Sequence, residues 1–168
     1  MNTKKISIYG IMIALALILS YVEAQIPAFV AVPGMKLGLT NLVVVVTLYL
    51  LGSKSAMAIN VVRIIIVSIL FGNALSFAFS IAGGMLSTLV MILLKKTNKF
   101  STVGVSAAGG ISHNIGQIIV AMFTLGTNAI AWYLMILWIS GVFSGTLIGV
   151  IGGMITTRVS KYVTKFTK

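Results

Sequence analysis

The chain has 168 residues, of which 59% are hydrophobic and only 8% charged, with mean hydropathy +1.15 and formal net charge +11. A soluble domain would carry about a quarter charged residues, so the chain reads as an all-α integral membrane protein, its basic residues facing lipid headgroups rather than nucleic acid. No cysteine, one histidine and one acid, Glu23, exclude disulfides, a zinc site made by this chain alone and paired-carboxylate catalysis.

No G-x-x-x-x-G-K-[ST] stretch occurs, so the chain has no ATP-binding loop of its own. It is therefore expected not to be an enzyme, to need no cofactor and to draw energy from a gradient or another subunit.

The first apolar run, Ile6–Val22, follows Lys4 and Lys5. Val22-Glu23-Ala24 is a poor small-x-small cleavage site, so a retained transmembrane helix is expected rather than a signal peptide. Gly10 and Ala14, then Ala16 and Ser20, are four apart. Small residues so spaced share a helix face and let another backbone approach in lipid. They are candidates for docking a partner helix, or for packing within the bundle.

Between Glu23 and Asn41 lie Pro27, Pro33, Gly34, Lys36 and Gly38, which prevent a continuous helix. Irregular backbone at membrane depth survives only under protein or beside a wet cavity. Lys36, beside the start of a helix at Leu39, suits an anionic group, or snorkels from an ordinary turn.

Second and third runs, Leu39–Leu51 and Ala56–Leu70, are short and separated only by Gly52-Ser53-Lys54. Merging them would give five spans. Six spans put Lys54 on the same side as the other basic loops. The third run contains Asn60 and, one turn on, Arg63. A charge inside a span normally faces a partner, a cavity or a substrate, so Arg63 pairs with Glu23, snorkels outward or binds ligand.

The fourth run, Leu75–Leu94, carries Ser76, Ser80, Gly84 and Thr88 at four-residue spacing. The fifth, Val103–Leu125, holds His113, Asn114 and Gln117 amid apolar residues. These groups either bind neighbouring helices or wall a cavity. The sixth, Ala129–Thr156, has Gly141, Gly145, Gly149 and Gly153 on one face, and Trp132, Tyr133 and Trp138 at an expected outer aromatic belt. A basic tail follows, with Arg158, Lys161, Lys165 and Lys168. With six spans, all basic residues except Lys36 and Arg63 fall on one side, which makes both termini cytoplasmic. Residues 1–168 form a single transmembrane domain on this reading.

At Pro33-Gly34-Met35-Lys36-Leu37-Gly38-Leu39-Thr40-Asn41, Arg63-Ile64, Phe71-Gly72, Ala82-Gly83-Gly84 and His113-Asn114-Ile115-Gly116-Gln117, the chain resembles a bacterial membrane family. This is the Gx transporter family, often labelled heptaprenyl diphosphate synthase component I; Thr40 stands where that family usually has alanine. The family is similar to the S components of energy-coupling-factor (ECF) transporters. The resemblance implies a compact six-helix bundle in the plasma membrane that captures a small molecule from outside. It also implies a first helix that docks on a shared transmembrane subunit driven by two ATPases.

The synthase label meets a chemical obstacle. Prenyl diphosphate synthases resemble one another in two aspartate-rich motifs that hold magnesium, and this chain has no aspartate. The expected function is therefore a substrate-binding subunit for an anionic amphipathic ligand, such as an isoprenoid or quinone precursor or a flavin-like molecule. Lys36 and Arg63 are its expected anion contacts, with Asn41, Asn60, His113, Asn114 and Gln117 as hydrogen-bonding groups. The alternative is a non-catalytic membrane accessory of an isoprenoid or redox enzyme. A gradient-driven carrier is a third reading. Membrane lipids are expected partners throughout.

Overall fold

The computed structural model describes residues 3–25, 38–127 and 132–167. They form six helices and no strand: α1 (Thr3–Gln25), α2 (Asn41–Leu50), α3 (Ser53–Phe71), α4 (Ala74–Lys96), α5 (Thr102–Leu125) and α6 (Tyr133–Thr167). α1, α3, α4 and α6 are each long and apolar enough to cross a membrane, making this a multi-pass membrane protein by helix length and composition. α2 has ten residues. α5 has twenty-four, but glycines and polar side chains dilute its hydropathy.

Local chemistry sets the helix ends. Gly52, at φ +90°, makes the turn between α2 and α3 in a conformation that costs a glycine little. Asn73 opens α4 with a capping box: its side chain accepts from Ser76 N at 2.8 Å, and Ser76 Oγ accepts from Asn73 N at 2.9 Å. Ser101 caps α5 by accepting from Gly104 N. Lys95 and Lys96 lie in the last turn of α4, where positive charge complements the helix dipole.

Several helix boundaries differ from expectation, among them that of the third helix, which starts at Ser53 rather than Ala56. The second helix starts at Asn41 rather than Leu39, because Gly38 at φ +82° leads a turn in which Asn41 N bonds Gly38 O. The sixth is described from Tyr133, since Ala129 lies outside the described residues, and runs through the basic tail to Thr167. Arginine and lysine are good helix formers, so the charged tail does not end the helix. The first runs from Thr3 to Gln25, beyond its apolar segment at both ends.

α5 is central because its small residues admit two neighbours. A β-carbon at Gly116 would lie 2.6 Å from Ala82 O of α4, and one at Gly145 of α6 would lie 2.7 Å from Ser106 O of α5. The glycine stripe of α6 is thus used within the bundle. α2 is enclosed, with Val43 to Leu48 all buried. One apolar cluster joins Val44, Val45 and Leu48 to Met91, Val105 and Ile148; another joins Phe79, Ile118, Ala121 and Leu137. Ile136, Ile139 and Phe143 of α6 and Ile11 and Ile18 of α1 point outward. That apolar exterior suits hydrocarbon and not water.

Candidate functional site

Polar side chains gather inside this apolar shell. Glu23, only 5% exposed near the end of α1, reaches the entrance of α2. Its Oε1 accepts from Gly38 N and, at 3.1 Å, from Leu39 N; its Oε2 accepts from Thr40 Oγ1 at 3.2 Å. Ser20 Oγ and Thr40 Oγ1 lie 3.0 Å apart in the same cluster. A carboxylate facing backbone N–H groups at a helix start is favoured by hydrogen bonding and by the helix dipole. Glu23 therefore closes the gap between α1 and α2.

Arg63 has different company. Its Nε and Nη2 donate to Asn60 Oδ1 at 3.0 and 2.9 Å. Asn60 Nδ2 donates in turn to Gly84 O at 2.9 Å and Thr88 Oγ1 at 2.8 Å. The three-residue spacing of Asn60 and Arg63 puts both on one face of α3. Gly84 allows that face to meet α4, since a β-carbon there would lie 3.2 Å from Asn60 Nδ2. The guanidinium is thus held to a neutral amide, with two of its five N–H groups so used.

Gly83 opens the adjacent face of α4 toward α5. A β-carbon there would lie 3.1 Å from both Gln117 Cγ and His113 Cε1. Gln117 is 1% exposed, yet its Oε1 has no hydrogen-bond partner among the described residues; neither have Asn41 Oδ1 and Ser87 Oγ. A buried amide without a partner costs free energy unless something supplies the missing bond.

The expected site residues thus divide. Asn60 and Arg63 are joined directly, and His113 and Gln117 meet the neighbouring face of the Gly83–Gly84 pair. Asn114 turns away and donates from Nδ2 to Leu137 O of α6 at 2.5 Å. Asn41 sits at the start of α2 beside Gly38. Lys36 lies outside the described residues. Of the small residues on α1, Ala16 and Ser20 are buried, whereas Gly10 and Ala14 are exposed and nothing lies within 4 Å of a β-carbon built at Gly10.

Sequence reasoning missed Glu23 as a clasp, because its partners follow fifteen to seventeen residues later across a proline-rich stretch. It also missed Thr88 and Ser87. The signal for Thr88 was its place on the stripe of Ser76, Ser80 and Gly84 at four-residue spacing; Ser87 lies off that stripe.

Comparison with curated proteins and with solved structures finds no match. The family described as heptaprenyl diphosphate synthase component I matches residues 12–155, from the middle of α1 into α6. That match takes in Glu23, Arg63, His113 and Gln117, and the chain belongs to the heptaprenyl diphosphate synthase component I family.

Proposed function

We propose that this chain is the membrane-embedded, substrate-binding subunit of a small-molecule transporter, resembling an ECF S component. It crosses the plasma membrane six times as a single domain with both termini in the cytoplasm. One observation carries the reading: a buried Arg63 bonded to the neutral Asn60, while the chain's one carboxylate is engaged at α2. An intramembrane cation so placed favours an anionic ligand. Gln117, whose acceptor has no partner among the described residues, adds a hydrogen-bond contact from α5. An open apolar groove of about 480 Å3 on the α5–α6 surface, bounded by Ile115, Trp132 and Trp138, offers a surface for the apolar part of an amphipathic molecule. Lys36, outside the described residues, falls on the outer side by the charge pattern of the sequence, and Gly10 and Ala14 offer the open small-residue face for a partner transmembrane subunit.

Identifying small molecules that co-purify with the protein, by mass spectrometry, tests this directly. The expected result is one amphipathic anion retained by the parent protein and lost in Arg63→Ala. An Arg63→Ala protein that is folded and keeps the same ligand would rule the site out.

The family description supports a second reading. "Component I" of a synthase implies a second component, and a chain without aspartate lacks the metal-binding carboxylates that diphosphate chemistry uses. The accessory reading predicts capture of a soluble synthase or redox enzyme by the tagged protein. The transporter reading predicts capture of a transmembrane subunit with two ATPases.

A further inference from the structure

The α5–α6 contact changes along its length. A β-carbon at Gly110 would collide with Gly141 O, and one at Gly149 would lie 2.7 Å from Val103 Cα. One turn later, at Gly153, the nearest atom is Thr102 Cβ at 3.8 Å. The two helices are in backbone contact through their middle and part toward the end where α4 meets α5. The parting leaves an open groove of about 860 Å3.

The lining of this groove is polarised. Val103, Val150 and Met154 form apolar walls, and Ser101, Thr102 and Arg158 lie toward the end. Val150 and Arg158 are eight residues apart on α6, about 12 Å along the axis. Not every hydroxyl here is available to a ligand, because Thr156 and Thr157 donate to their own helix at Gly152 O and Gly153 O. Arg158 is exposed and belongs to a basic end that also carries Lys95, Lys96, Lys99 and Lys161. The chain's one acid, Glu23, lies at the other end of α1, so no carboxylate competes there.

We propose that this groove holds one anionic phospholipid of the leaflet at the basic end. Its phosphate meets Arg158 and the first turn of α5, and an acyl chain lies along Val103, Val150 and Met154. Charge complementarity selects the headgroup, and the lateral opening beside α6 admits the chain directly from the bilayer. The site is separate from the Arg63 region and stands whether or not that region binds substrate.

The full chain, delipidated in detergent and titrated with phosphatidylglycerol or phosphatidylcholine, is read by native mass spectrometry. One phosphatidylglycerol should be retained in preference to phosphatidylcholine. Arg158→Ala should weaken that retention about fivefold, as loss of one interfacial cation implies. Gly153→Leu, which fills the groove, should abolish it, whereas Lys99→Ala outside the groove should not change it. Arg158 is exposed, so its variant keeps the test decisive if Gly153→Leu fails to fold. Equal retention of both lipids, unchanged retention in Arg158→Ala, or equal loss in Lys99→Ala overturns the proposal. Displacement of the lipid by millimolar inorganic phosphate also overturns it, since a headgroup site without the groove would then suffice.

Discussion

Glu23 gathers Gly38 N, Leu39 N and Thr40 Oγ1 on one carboxylate. Removing it as Glu23→Ala strands the N–H groups of Gly38 and Leu39 and leaves Thr40 Oγ1 with Ser20 Oγ alone, which should cost about 3 kcal/mol; Glu23→Gln, which keeps an acceptor, should cost less. Thermal unfolding in detergent checks the order. Asn60 and Arg63 call for a double-mutant cycle. Asn60→Leu alone leaves the guanidinium without its acceptor and should destabilise by about 3–5 kcal/mol. Adding Arg63→Met should recover most of that loss, because a buried polar pair is often replaceable by apolar side chains. Additive losses would mean that Arg63 is satisfied elsewhere. Gln117→Leu removes an acceptor that has no partner among the described residues, so stability should hold or rise while retention of the proposed ligand falls. A Gln117→Leu protein that unfolds readily would assign that amide a structural role instead. Much of this residue-level arrangement was legible: Asn60 and Arg63 are three apart, and helical geometry alone pairs them. Asn114 was not, since it neighbours His113 in sequence but faces α6, a difference of one helical step that only the fold resolves.

At the level of elements, apolar runs located the helices well because lipid demands continuous internal hydrogen bonding. Their ends were harder, since turns such as Gly38–Thr40 depend on a partner distant in sequence. Glycine stripes were visible, but which backbone each would meet was not. The structure separates them clearly. Gly110 faces Gly141 O with no room for a methyl group, whereas Gly10 faces open space. Gly110→Ala should therefore force α5 and α6 apart and cost about 2 kcal/mol. Gly10→Ala should be neutral or add up to about 1 kcal/mol through helix propensity. Unfolding midpoints of the two variants in the same detergent distinguish these outcomes, and a larger loss at Gly10 would contradict the packing.

For the whole molecule, basic residues gather at one end of the bundle: Lys95 Nζ donates to Leu48 O at 2.5 Å, beside the turn that leads to Lys54, and Arg158 shares a groove with Tyr49 and Ser101. The cysteine-free chain permits a clean topology experiment. In intact cells, a membrane-impermeant thiol reagent should label Asn73→Cys and leave Lys99→Cys unlabelled until the cells are opened. Labelling of both from outside would break the six-span arrangement proposed above. α2 has a consequence for how that arrangement is reached. Ten residues rise about 15 Å, half of a hydrocarbon core roughly 30 Å thick, and seven of its side chains are buried in protein. Such a segment offers too little surface to be recognised as an insertion unit by itself. On the proposed six-span arrangement it enters the bilayer as the first arm of a hairpin drawn in by α3, so a nascent chain halted after Leu50 should leave α2 in water, and one extended through Phe71 should carry both helices across together.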